Sequence, residues 1–223
     1  MATDADVREL RDWVDELWNG VRQLRIDQHI FDETQEIIAK NAALHRPSHF
    51  YSWMQDMYVS GIAMAIRRQM DDDPRTRSFL RFLLRMRADP DAVSRVRYRH
   101  LYDGTTTERQ LAPNGLLEDY VNRTYDKFVG VGQDSPSIAQ VQGHIDSLRR
   151  TTKRFVEFAN KVVAHGDSSP PAVLPTFGEV NDSVSTMESI LQHYVQLLEG
   201  AYRSTDINWQ YDWKAVFRIP WIV

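Results

Sequence analysis

Arg154, Phe158, Lys161 and His165 follow one another at spacings of four, three and four, the interval at which side chains stack along one face of an α-helix. A histidine with two cations behind it is held neutral near pH 7 and can act as a general base. Asn160 adds a hydrogen-bonding amide beside it, and Asp167, two residues past the histidine, either opposes the shift or orients the ring. The chemistry this set suits is metal-independent cleavage of RNA. One group takes the proton from a ribose 2′-hydroxyl, and cations or hydrogen-bond donors hold the charge that builds on the phosphate. A plainer reading stands beside it. "AHGD" is also a helix stop, with a histidine at the negative end of the dipole and Gly166 suited to the left-handed position that follows.

The chain that must position these residues has 223 of them, with a formal net charge of −4 and no cysteine. That length supports a sizeable core, and a single domain over residues 1–223 is the expected organisation. The lack of cysteine excludes disulfides, thiolate metal sites and cysteine nucleophiles. No apolar run reaches the length of a membrane span, because "YVSGIAMAI" is flanked by "WMQD" and "RRQMDDD". The opening "MATDADVRELRDWVDELW" is acidic and amphipathic, unlike a secretory signal, so a cytoplasmic location is expected. Residues 67–99 hold ten arginines against five aspartates. This local excess is either a phosphate-attracting patch or a solvated helix face, since Arg77, Arg81 and Arg85 recur every four residues.

Helical periodicity predicts an all-α fold, a multi-helix bundle. A first helix is expected over about residues 4–24, with Val7, Leu10, Val14, Leu17, Val21 and Leu24 on one face, and a second over about 27–44. The stretch around "MYVSGIAMAI" is apolar nearly all round, the mark of a central helix. Asp73-Pro74 reads as the capped start of a fourth helix, "DGTTTERQLAPNG" as a loop and "LLEDYVNRTYDKFVG" as a helix. From Ser135-Pro136 an unbroken seam runs through Ile138, Val141, Ile145, Leu148, Thr152, Phe155, Ala159 and Val162. Thr176 and Glu179 have capping-box spacing and open a last long helix through Val180, Val184, Met187, Leu191, Tyr194, Leu198 and Ala201. These two helices are expected to pair antiparallel, with His165 in the loop between them. The aromatic tail 207–223 is too apolar to float free, and a strand is conceivable only there.

Other chemistry-bearing residues have local explanations. His45 and His49 lack a carboxylate at a zinc-site spacing. "DDDP" at 71–74 reads as a helix cap before it reads as a magnesium cluster, and "GVGQDS" as a turn. Asp56 is expected to be buried and paired with Arg67 or Arg68. Neither a metal nor a cofactor is expected, and no helix-turn-helix with a basic recognition helix points to DNA.

The stretch "NKVVAHGD" at the end of a long penultimate helix resembles the motif region of the HEPN superfamily, in particular its abortive-infection AbiU-like branch. "YSWMQDMYVSGIAMAIRRQMDDD" and the closing "DWKAVFRIPW" extend the likeness over most of the chain. The resemblance implies a HEPN-like bundle, a homodimer, a role in phage defence or a toxin–antitoxin system, and metal-independent ribonuclease activity with RNA as substrate. The family signature is an arginine, often followed by a polar residue, then a histidine four to six positions on. His165 matches the histidine and Asn160 the polar residue, but Ala159 stands where the arginine would be. Arg154 and Lys161 from the same helix, or Arg67 and Arg68 from the central one, are the candidate replacements. The expected catalytic set is therefore His165, Asn160, Lys161 and Arg154, with Arg67, Arg68 and Asp167 at the substrate. The alternative is a degenerate, non-catalytic module that binds a nucleotide or a protein partner.

Overall fold

A computed structural model describes residues 3–46, 48–164 and 173–219. The first helix, α1, spans Asp4–Lys40, a rod of about 55 Å. Thr3 caps it, its hydroxyl accepting from the Asp6 amide while the Asp6 carboxylate accepts from the Thr3 amide. The two helices expected over 4–44 are thus one. Nothing between Leu24 and Asp27 breaks the backbone, the Gln23 amide donates to Asp27 at 2.7 Å, and the buried stripe runs on through Leu24, Gln28, Phe31 and Thr34.

Helix α2 covers His49–Gln69 and α3 covers Phe79–Ala88. The start of α3 lies five residues after Pro74. Asp73 closes a turn of its own by accepting from the Arg75 amide and guanidinium, and Ser78 caps the helix instead, accepting from the Arg81 amide at 3.1 Å. Short helices α4 (Arg95–His100) and α5 (Thr106–Leu111) follow, then α6 (Leu117–Val129). The loop expected over 103–115 therefore contains a helical turn, capped by Thr105 and by Glu108 reaching back to the Gly104 amide. Residues 130–135 form the expected turn, with Gly130 and Gly132 at positive φ.

Helices α7 (Ile138–Phe158) and α8 (Phe177–Glu199) form the centre. Val141, Ile145, Leu148, Val184, Met187, Leu191 and Tyr194 are completely enclosed. His144 bonds the Tyr194 hydroxyl, the Ser183 hydroxyl donates to the Thr151 carbonyl, and Arg154 pairs with Glu179; residue numbers along the two helices run in opposite senses. Thr176 and Glu179 make the capping box that opens α8, and Gly200 at φ 64° closes it. Helix α1 lies along α8, clamped by Arg25 to Glu188 and by Arg11 to the Leu198 carbonyl. Helices α2 and α3 pack on α7. The buried apolar residues of α1, α2, α3, α4, α6, α7 and α8 join in one cluster. Among the described residues there is no strand, and no helix is long and apolar enough to cross a membrane.

Two expectations change at this level. Helix α2 is peripheral, burying only Ile62, Ala63 and Ile66 while Phe50, Trp53 and Met57 stay exposed; its apolar character all round shows how much surface could be covered, not how much this chain covers. Asp56 is exposed and makes no ion pair among the described residues.

The arginines of residues 67–99 mostly act as internal clamps. Arg77 holds Glu16 at 2.6 Å, Arg85 holds Asp6 at 3.0 Å and Arg97 holds Asp4 at 3.3 Å, all three carboxylates belonging to α1. Arg95 binds Asp126 and lies over the ring of Tyr125, and Arg99 binds Glu118 and Asp103. The tail from residue 201 is largely exposed but anchored, with Trp209 against His29, Lys214 paired with Glu33, and a 3-10 turn over Trp213–Arg218.

Candidate functional site

Where α7 ends as an α-helix it continues as a π-helical turn over Ala159–Ala164. A π turn is wider than an α turn and occurs mostly where function requires a side chain to be re-aimed. Here it begins with a fully enclosed Ala159. Helix α2 packs against both α7 and this turn and supplies Ala63, also fully enclosed; small side chains let two backbones approach closely. The position that would carry an arginine in the HEPN signature therefore faces the core.

The next residue, Asn160, is half-buried, and its side-chain oxygen accepts a hydrogen bond from Nε of Arg67 on α2. Arg67 has no carboxylate within 4 Å among the described residues. Arg68, next to it, is exposed and makes no ion pair among the described residues. The other two expected cations, Arg154 of α7 and Lys161 of the π turn, differ from these. Arg154 is bound to Glu179 at 2.8 Å, and Lys161 to Glu157 at 3.1 Å, four residues back. Glu179 is held below the usual carboxylate range, first by the Thr176 amide and to a smaller degree by the Thr176 hydroxyl and Arg154. The capping box thus fixes the carboxylate that neutralises Arg154.

The corner from which the π turn emerges is buttressed by aromatic rings. Phe31 of α1 stacks on Tyr58 of α2 with centroids 3.9 Å apart, and Phe177 at the start of α8 stacks on Phe31 at 5.2 Å. Beside this stack lies a cavity of about 320 Å³ walled by Ile30, Phe31, Met54, Met57 and Tyr58. Burial pushes the Tyr58 hydroxyl far above its ordinary value, with Asp32 and Asp27 adding to the shift, which keeps it protonated.

Of the residues expected at the site, the structure brings Asn160 and Arg67 together, leaves Arg68 beside them in sequence, and gives Arg154 and Lys161 acidic partners. His165 and Asp167 lie outside the described residues, as does Gly166. The Glu157–Lys161 pair was legible as an i, i+4 spacing; the Phe31–Tyr58–Phe177 stack joins three distant segments and left no local signal. A second polar cluster also escaped the sequence. His144 and His193, with rings 4.9 Å apart, sit between α7 and α8 beside Tyr194. Burial lowers both, His193 to about 3, with His144 adding to the shift on His193. They stand toward the other end of the α7–α8 pair from Asn160 and belong to its packing.

An amide accepting from a guanidinium on a neighbouring helix, at the base of a π turn, can present donors to an anion. It has the parts of a phosphate site: fixed cationic N–H groups in a partly desolvated corner. Comparison with curated proteins and with solved structures gave no significant match. The HEPN family described as AbiU2 matches residues 8–215, nearly the whole chain, from the acidic start of α1 to the 3-10 turn of the tail. The match includes α2, the π turn and His165, and on that extent the chain belongs to the AbiU2 family of HEPN proteins, an abortive-infection type.

Proposed function

We propose that this protein is a metal-independent endoribonuclease of a phage-defence or toxin–antitoxin system, acting in the cytoplasm, with His165 as its acid–base group. The observation that carries the reading is the hydrogen bond from Arg67 to Asn160. It sets a cation that has no carboxylate partner among the described residues beside the polar residue of the signature, where Ala159 stands in place of the usual one. In this mechanism His165 takes the proton of a ribose 2′-hydroxyl. The 2′-oxygen attacks the adjacent phosphorus, and Arg67 and Asn160 hold the charge growing on the phosphoryl oxygens. The bond to the 5′-oxygen breaks, that oxygen gains a proton, and a 2′,3′-cyclic phosphate and a 5′-hydroxyl remain. The histidine pKa need only lie near the working pH.

Apolar surface left uncovered supports a homodimer. Phe50, Trp53 and Met57 recur at three and four residues along the outer side of α2, each about half exposed, the spacing of a helix-packing stripe. The seam of α7, by contrast, is covered within the chain from Val141 to Ala159, and only its ends, Ile138 and Val162, stay exposed.

The second reading is a non-catalytic binding or scaffolding module, and it too has its observation: Ala159 is enclosed in the core, and the two nearby cations Arg154 and Lys161 are paired with carboxylates. The purified protein incubated with total RNA in EDTA separates the two. Cleavage that persists in EDTA and disappears in His165→Ala supports the enzyme, and intact RNA with the wild type supports the scaffold.

A further inference from the structure

Resting on the ribonuclease reading, we propose that Arg149 and Lys153 of α7 form, with Arg67 and Asn160, the track that holds the backbone of single-stranded RNA. The chain is acidic overall, at −4, and most arginines of residues 67–99 are neutralised by carboxylates of the bundle. The middle of α7 departs from that pattern. Arg149 and Lys153 are both exposed and have no carboxylate within 4 Å among the described residues.

Their direction follows from the helix itself. Lys153 precedes Asn160 by seven residues and Arg149 precedes it by eleven, about two and three turns, so the three share one side of α7. This is the side from which α2 supplies Arg67. Positions that meet α8 lie elsewhere around the helix: His144 bonds Tyr194, Thr151 bonds Ser183, and Arg154 pairs with Glu179. Of the four cations of α7, Arg154 is compensated by Glu179 of α8 and Arg150 donates to Ser147 on its own helix, while Arg149 and Lys153 share the side toward α2 with no carboxylate partner among the described residues. These two lie along about 16 Å of helix leading to Asn160.

A single row of cations on a convex ridge fits one strand. It can contact successive phosphates of an extended RNA and feed the next one to the Arg67–Asn160 corner, without reading base identity. The ridge itself confers affinity and register, and no sequence preference.

The test measures binding apart from cleavage. Fluorescence anisotropy with a short fluorescein-labelled single-stranded RNA is followed across a salt series, in a His165→Ala background so that the probe stays intact. Two phosphate contacts to a single strand account for about 1.4 in the slope of log K against log salt. The Arg149→Gln/Lys153→Gln pair should lower the slope by that amount and weaken binding at low salt. Arg109→Gln/Arg123→Gln, which removes the same charge from α5 and α6, should leave the slope unchanged. Equal slopes for both pairs, with RNA still bound, would overturn the ridge and leave the ribonuclease reading standing. Failure of the parent to bind RNA at any salt would remove both. Circular dichroism of each variant shows that the fold is intact, as expected for exposed positions.

Discussion

In the proposed mechanism Arg67 carries the charge that the family signature normally places one residue before Asn160. Its role could not be read from spacing, because it sits 93 residues away on another helix. The two cations that spacing did select, Arg154 and Lys161, are compensated by Glu179 and Glu157. Replacing either by alanine should leave at least a tenth of the cleavage rate, since an exposed ion pair of this kind contributes little. Restoring the signature arginine at residue 159 should fail. Ala159 is fully enclosed, and an arginine there buries an unpaired charge or forces α2 away from the π turn. The expected cost is about 3–5 kcal/mol, read as a lower urea midpoint, with no gain in cleavage. An Ala159→Arg protein that folds normally and cleaves faster would contradict this placement.

At the scale of elements, one of three capping signals was legible as read. Ser137 and not Ser135 caps α7, its hydroxyl accepting from the Gln140 amide, and Ser135 bonds Asp91 instead. The Thr176–Glu179 box and the seam through Val141, Ile145, Leu148, Thr152 and Phe155 stand as the spacing indicated, because each depends only on neighbours within a turn or two. Asp73-Pro74 misled for the same local reason: an aspartate before proline suits either a cap or a turn, and Arg75 settled it as a turn. The burial of His144 and His193 was not legible, since it depends on how α7 and α8 face each other. It carries a pH dependence. The unfolded chain protonates His193 near 6.5, and the folded one only near 3. The unfolded state therefore binds more protons between those values, and stability must fall as pH drops below about 6.5. The loss at about pH 5 is on the order of 2 kcal/mol. Urea melts at neutral and mildly acid pH should show it, and His193→Gln should flatten the slope; an unchanged slope in that variant would place the acid sensitivity elsewhere.

For the whole molecule, the all-α bundle was legible because helical periodicity repeats along the chain, whereas the peripheral place of α2 was not. Apolar residues at Phe50, Trp53 and Met57 read the same whether the surface that covers them belongs to this chain or to another copy. Sedimentation at micromolar concentration should give about twice the chain mass of 26.0 kDa. Trp53→Asp should give the single-chain mass with little change in melting temperature, because Trp53 is 57% exposed within one chain and exposed substitutions shift stability by about 0.5 kcal/mol or less. A wild-type protein that stays at 26.0 kDa at high concentration would remove the dimer.

The account depends most on Arg67 acting where Ala159 cannot. The direct measurement is the single-turnover rate of RNA cleavage by wild type and Arg67→Gln at equal saturation, with melting temperatures compared alongside. Removing one preorganised donor to the developing phosphate charge should slow cleavage about 100- to 1000-fold, with melting changed little because the glutamine can still reach the Asn160 amide. An Arg67→Gln protein that cleaves at the wild-type rate would contradict the claim and return the search for the missing cation to the other arginines.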